Sequence, residues 1–303
     1  MKILAFEYAC AGGPGSDAFL EEGRLMLTPL LEELAEAELG GITTLVNREF
    51  DTSSITADEI HDIDGGFFAA VKKRMESANV VWIIAPECGG ALYRLTDMAE
   101  RMGKKVAGSS TDAVKLCGDK LSLARYMDGK IETPESVPFT DGYDDFPCVV
   151  KSVDGAGSEN IHFVNDNKSL RQIKIDGENL LVQPYVEGTK LSAGIVNIGD
   201  TPVLLGICRQ ETDVGQSLKP KRIVGPVEYA NSDKLIGMIK KINRLIPGLR
   251  GYYGIDFIDN NGRITLIEIN PRLTASYPVY VKSCGFNIAE SLLRGMTQTL
   301  KAV

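Results

Sequence analysis

The sequence predicts a parallel α/β domain followed by a pair of α+β lobes, and three observations predict it. Over residues 1–110 strand-like and helix-like stretches alternate, the rhythm of a parallel sheet covered on both faces by helices. Beyond Ser110 that rhythm gives way to short helices and then to runs of strand separated by turn residues. Near the C-terminus hard oxygen donors stand inside apolar strand-type sequence, in Gly254-Ile255-Asp256-Phe257-Ile258-Asp259-Asn260-Asn261-Gly262-Arg263-Ile264-Thr265-Leu266-Ile267-Glu268-Ile269-Asn270-Pro271-Arg272.

In chain order, residues 3–8 read as a strand, 17–37 as an amphipathic helix, 43–46 as a strand and 67–77 as a helix. Residues 80–85 form the next strand, 91–102 a helix and 105–107 a short strand. The loops at 9–16 and 86–90 then lie at the carboxyl edge of the sheet, where open α/β sheets bind ligands. Gly12-Gly13-Pro14-Gly15 lacks the Gly-x-Gly-x-x-Gly spacing of a dinucleotide site, and Pro14 removes a donor, so a plain turn or a loop near a small substrate is expected.

After Ser110, helices are expected at 113–117 and 120–127, strands at 147–151, 160–164 and 180–185, and a brief helix at 170–173. Antiparallel strands at 192–197 and 203–210, a helix at 232–245, the acidic hairpin and a helix at 288–300 complete the chain. The division is 1–110, 111–185 and 186–303, with no repeat or low-complexity tract.

Composition narrows the function classes. With 33 basic and 41 acidic residues the formal charge is -8, which argues against a general nucleic-acid or anionic-membrane surface. The longest apolar run, Val80 to Ala85, is far short of the roughly 20 residues that span a bilayer. The N-terminus shows no signal region, so a cytoplasmic protein is expected. Six scattered cysteines, at 10, 88, 117, 148, 208 and 284, suggest buried free thiols, and His61 and His162 offer no zinc site or catalytic triad. Cys10 has no histidine partner to make it a nucleophile.

The hairpin carries the chemistry. Alternation puts Ile264, Leu266, Glu268 and Asn270 on one face and Thr265, Ile267 and Ile269 on the other. A three-residue turn with Gly262 left-handed pairs Asp259 with Arg263 and makes Asp256 and Glu268 diagonal neighbours at ~7 Å on that face. A two-residue Asn261-Gly262 turn would put them on opposite faces, so a site requires the longer turn. Two carboxylates and an amide oxygen this close call for cations between them, and oxygen donors without His or Cys suit magnesium or manganese.

Upstream, the strand Phe146-Pro147-Cys148-Val149-Val150-Lys151 ends on a lysine and enters Ser152-Val153-Asp154-Gly155-Ala156-Gly157-Ser158. Small residues let backbone N–H groups approach phosphate oxygens while the lysine adds a charge. Asp119-Lys120 opens a helix, and Leu180 to Gly188 reads as a strand leaving its sheet with free backbone groups at Tyr185 and Val186, suited to a flat base.

Taken in order, these elements and the final Glu268-Ile269-Asn270-Pro271-Arg272 resemble the ATP-grasp carboxylate-amine ligases from about residue 110 to the end. The resemblance implies the ATP-grasp fold, with a parallel-sheet pre-ATP-grasp domain and two α+β lobes sandwiching ATP. It implies that Lys120 and Lys151 hold the phosphates under a flap of Gly155, Ala156, Gly157 and Ser158. Gln183 and the main chain of Tyr185 and Val186 would meet adenine. Asp256, Glu268 and Asn270 would bind two Mg2+ or Mn2+ ions, and Arg272 would stabilise the transferring phosphoryl group. Where many members place a ribose-binding acid three residues after Glu187, this chain has Lys190, leaving Glu187 as the substitute.

Within the family, Phe6-Glu7-Tyr8-Ala9-Cys10-Ala11-Gly12-Gly13, Glu22-Gly23 and Ala85-Pro86-Glu87 resemble the archaeal tyramine–glutamate ligase group of methanofuran biosynthesis. The implied reaction joins a small carboxylate to an amine through an acyl phosphate. Arg209, Lys221 and Arg222 are then candidate carboxylate clamps, Glu7, Glu22 and Glu87 candidate ammonium partners, and Tyr8, Tyr93 or Trp82 candidate platforms for an aromatic amine. A homo-oligomer is compatible with all of this.

Overall fold

The computed structural model describes residues 1–155, 161–173, 179–198, 201–212 and 220–298. Strands β1 (Lys2–Glu7), β2 (Gly41–Asn47), β3 (Glu59–Ile63), β4 (Val80–Ile84) and β5 (Lys105–Val106) form a parallel sheet in the order β3-β2-β1-β4-β5. Helix α1 (Leu20–Glu36) follows β1, α2 (Phe67–Ser77) follows β3 and α3 (Ala91–Arg101) follows β4. The strand order reverses direction between β1 and β4, so the loops after these two strands face each other across a crevice. β3 was not visible in the sequence because its residues, Glu-Ile-His-Asp-Ile, form a largely exposed edge with only Ile63 buried.

The chain continues through α4 (Thr111–Gly118), α5 (Lys120–Met127), β6 (Val137–Pro138), β7 (Cys148–Ser152), β8 (His162–Val164), α6 (Asn167–Leu170) and β9 (Leu180–Pro184). Their four strands make an antiparallel sheet, β6-β9-β7-β8. The helix expected at 170–173 starts three residues earlier, because the Asp166 carboxylate accepts from Ser169 N at 2.7 Å and caps it.

The last lobe holds β10 (Thr189–Ile198), β11 (Thr201–Thr212), β12 (Pro220–Val224), α7 (Ser232–Leu245), β13 (Gly251–Asn260), β14 (Arg263–Asn270), α8 (Tyr277–Ser283) and α9 (Ile288–Gln298). Its sheet runs β12-β11-β10-β13-β14, antiparallel throughout. β12 and α8 were not anticipated from sequence.

Packing crosses the division at residue 110. Leu27, Leu30, Leu31 and Leu34 of α1 share one core with Trp82 of β4 and with Tyr252, Tyr277, Tyr280, Ile288 and Leu292 of the last lobe. Glu33 of the same helix is buried, accepting from the Tyr277 hydroxyl and, at 2.6 Å, from Ile288 N at the start of α9. On the other side α4 bridges two further cores, with Val114 in one and Ala113 and Cys117 in the other. Among the described residues no helix is long and apolar enough to cross a membrane.

Because α1 and the last lobe bury a common core, the two regions should unfold together. Leu31→Ala is expected to lower stability by about 2–5 kcal/mol. Fluorescence of Trp82 and far-UV circular dichroism should then follow the same urea transition, and separated transitions would refute the shared core.

Candidate active site

β13 and β14 close through a two-residue turn. Asn260 pairs with Arg263, and Asn261 and Gly262 between them have φ of 53° and 86°, the left-handed pair that matches strand twist in a tight hairpin. This corrects the three-residue turn expected from sequence: Asp259 lies opposite Ile264 rather than Arg263, and its Oδ1 accepts from Gly262 N at 2.6 Å. A β-bulge then restores the site. Asp256 pairs with Glu268 while Phe257 pairs with Leu266, leaving Ile267 as the extra residue.

The bulge also divides the face expected for β14. Ile264, Leu266 and Ile269 pack into the core against α4, α5 and α7, whereas Ile267 and Glu268 line the cleft. Asp256 and Glu268 are therefore direct cross-strand partners, closer than the diagonal spacing expected. On β14, the edge strand of the sheet, the Leu266 N–H donates to Glu132 O at 2.8 Å.

A cleft opens above this hairpin, between the two antiparallel sheets. Lys120, Lys151, Ser152 and Gly155 form one end, and Gln183, Tyr185 and Val186 the other. Asp256, Ile258, Ile267 and Glu268 make the floor, with Lys190 and Gln210 beside them. Lys120 is placed by its own helix start: Asp119 caps α5 by accepting from Ser122 N at 2.9 Å, and Lys120 N donates to Val153 O at 3.0 Å. Its ammonium donates to Gly155 O at 2.6 Å and stands 3.4 Å from Glu268 Oε2.

Lys151 is 5% exposed at the end of β7. Burial pulls its ammonium down to about 8 against the attraction of Glu268, with Lys120 adding repulsion. Burial and the facing Glu268 hold the Asp256 carboxyl well above the carboxylate range. Glu268 feels the same burial, but Lys120 and Lys151 outweigh it and hold it low. Asp256 Oδ1 accepts from Gln210 Nε2 at 2.9 Å, and Oδ2 from Asn270 Nδ2 at 3.4 Å. Among the described residues no group of three His, Cys, Asp or Glu converges on one point, so the donor set is two acids and an amide. Face-to-face buried carboxylates that repel one another fit a hard divalent cation.

Arg272 leaves the floor toward the crevice of the first sheet. Its Nε and Nη2 clasp Glu87, at 3.0 Å to Oε1 and 2.8 Å to Oε2, and Nη1 donates to Leu273 O at 3.1 Å. Both side chains are nearly inaccessible, 7% and 5% exposed. Burial would lower the Arg272 pKa, but Glu87 more than offsets it and raises it, with Glu22 adding to the effect. Glu7 is also buried here. Its Oε2 accepts from Cys10 N at 2.8 Å, and Gly23 of α1 lies so close that a Cβ would collide with the carboxylate. Burial raises the Glu7 carboxyl and, with Glu7 beside it, the Cys10 thiol, which removes Cys10 as a nucleophile.

The structure separates the remaining expected residues. Ala156, Gly157 and Ser158 lie outside the described residues, as does the side chain of Lys221. The Tyr185 amide is not free, since it donates to Pro147 O at 2.9 Å; the Tyr185 carbonyl and Val186 amide have no partner among the described residues. Glu187 is exposed and does not line the cleft, whereas Lys190 does, so the proposed ribose substitute is misplaced. Tyr8 belongs to the core, its ring 4.9 Å from Phe67 and its hydroxyl donating to Pro14 O, and Trp82 is core too. Tyr93 is half-buried against the core of the first sheet. Arg209 is half exposed on the opposite sheet face from Gln210, paired with Glu211 at 3.1 Å, and Arg222 is exposed. All six cysteines are free.

Two antiparallel sheets enclosing one cleft, behind a parallel-sheet domain, define the class of protein. The ATP-grasp domain model matches residues 117–276 and the pre-ATP-grasp 3 domain model residues 42–114. The chain belongs to the ATP-grasp family of ligases. It is similar to the tyramine–L-glutamate ligase of Methanocaldococcus fervens, 29% identical over 96% of this chain and 93% of that protein. An ATP-grasp superfamily protein from Archaeoglobus fulgidus superposes with a TM-score of 0.77 at 23% identity, over 97% of this chain and 88% of the other. The biotin carboxylase domain of Hydrogenobacter thermophilus 2-oxoglutarate carboxylase, solved with MgADP, superposes at 0.75 and 16% identity over 98% and 69%.

Two outcomes follow from these charges. The Asp256 pKa lies above its unfolded value, so the native state holds this proton longer and the group's contribution to stability falls as pH rises through the folded pKa. Asp256→Asn should remove that fall and raise the melting temperature of EDTA-treated protein at neutral pH. Glu87→Ala should strand a buried guanidinium and cost about 3–5 kcal/mol, read by urea denaturation.

Proposed function

We propose that the protein is an ATP-dependent carboxylate-amine ligase, and that its substrates are L-glutamate and tyramine, giving γ-glutamyltyramine. The convergence of Lys120, Lys151, Gly155, Gln183, Asp256 and Glu268 on one cleft carries the ligase reading. The similarity to tyramine–L-glutamate ligase across nearly the whole chain supports the substrates. Another acid and amine on the same scaffold is the alternative.

Lys120 and Lys151 bind the phosphates, and Gln183 with the Tyr185 carbonyl and Val186 amide meets adenine. Asp256, Glu268 and Asn270 hold Mg2+ or Mn2+, which when bound neutralises phosphate charge. A carboxylate oxygen of the acid attacks the γ-phosphorus, the bond to ADP breaks, and an acyl phosphate forms. The amine nitrogen then attacks the acyl carbon, phosphate leaves with the bonding pair, and the amine gives up a proton. Arg272, oriented by Glu87, keeps N–H groups on Nη1 and Nη2 for oxygens that gain charge during transfer. Glu22, half-buried in the first turn of α1 and close enough to act on Arg272, is the acid available to an ammonium. A cytoplasmic location belongs to this reading and agrees with the free thiols.

ADP release measured over panels of acids and amines, with Mg2+ or Mn2+ and including glutamate with tyramine, tests the substrates; turnover with every pair except that one would reject them. Glu268→Ala is expected to abolish ADP formation while leaving the circular dichroism spectrum unchanged, and full turnover in that variant would sink the metal assignment.

A further inference from the structure

The floor of the cleft can be followed strand by strand. Ser192 of β10 is in register with Asp256 of β13, and Asp256 with Glu268 of β14, so the three stand side by side. Gln210 belongs to β11, which does not touch β13, because β10 lies between them. Its side chain spans that intervening strand to donate from Nε2 to Asp256 Oδ1 at 2.9 Å. Gln210 also lines the cleft, beside Lys190.

A buried carboxylate facing another carboxylate gains by turning away or by keeping its proton. A fixed N–H donor on one oxygen opposes both, because it favours the charged form and sets the orientation of the group. The row holds one more donor. Ser192 is 6% exposed and its hydroxyl has no hydrogen-bond partner among the described residues, although it neighbours Asp256. An unpaired buried hydroxyl is unfavourable, and the Asp256 carboxylate in register beside it is an available acceptor.

We propose that Gln210 is the positioning residue of Asp256, pinning Oδ1 so that the carboxylate is presented with Glu268 and Asn270 to a divalent cation, and that Ser192 is its second donor when the cation is bound. This rests on the metal role of Asp256 and Glu268 proposed above. Donors of this kind hold the ligands of a metal rather than the metal itself, and their loss weakens metal affinity by about 10–100-fold. Neither residue stands out in sequence: each acts across strands on a residue at least 46 positions away.

The test is Mn2+ binding to the full chain, followed by electron paramagnetic resonance with and without ADP, together with thermal unfolding in EDTA. Gln210→Met keeps the length and apolar bulk of the side chain and removes the N–H. It should bind Mn2+ about 10–100-fold more weakly with its EDTA melting temperature close to that of the unmodified protein. Ser192→Ala, a small change that the core tolerates, should weaken Mn2+ in the same direction by less. Unmodified Mn2+ affinity in both variants overturns the proposal, since a packing role alone would be met by methionine. A Glu268→Ala variant that still binds Mn2+ would instead place the metal elsewhere and remove the reading on which the proposal stands.

Discussion

Two acids face each other in a buried hairpin, and the architecture of the cleft answers the repulsion between them. At cross-strand separation, ~5 Å, two full charges repel by about 3 kcal/mol at an effective dielectric constant of about 20. The chain lessens this with groups from three other elements, Lys120 at the start of α5, Lys151 at the end of β7 and Gln210 on β11, and with Asn270 at the end of β14 in the hairpin itself. The compensation is uneven, since both ammoniums favour Glu268 and amides serve Asp256. Asp256 thus stays reluctant to ionise while Glu268 is readily charged. A site with this asymmetry is poised to gain a cation, because a cation supplies what Asp256 lacks.

The same centre joins the lobes. Lys120 ties α5 to the stem of the Gly-rich loop and to the floor acid at once. Arg272 carries the floor strand into the crevice of the parallel sheet, where Glu87 takes its charge. Beneath them α1 and the last two helices share a core and the Glu33 contacts. The crevice of the parallel sheet is therefore set against the cleft by burial as well as by charge.

The ATP-grasp domain match covers residues 117–276, the span that holds both lysines, the floor acids and the Glu268-Ile269-Asn270-Pro271-Arg272 element. Lys190, with its ammonium lowered by burial in the cleft wall, lines the cleft together with Gln210. On the side of the parallel sheet Glu7 is locked behind the Cys10 amide and Gly23, while Glu22 is half-buried near Arg272.

Sequence alone determined what local patterns can encode. The strand–helix rhythm announced the parallel sheet, since strands buried on both faces are apolar throughout, as in Val80–Ile84. The order Lys120, Lys151, Gly155, Gln183, Asp256, Glu268 suggested a single site, and in the structure all six line one cleft. Tertiary structure decided the rest because those features are non-local. Periodicity placed Ile264 and Leu266 with Glu268, but the bulge at Ile267 separates them, and only pairing against β13 reveals it. The clasp between Glu87 and Arg272 spans 185 positions and the reach from Gln210 to Asp256 spans 46. No spacing rule connects residues so distant; strand register and the packing of three sheets do.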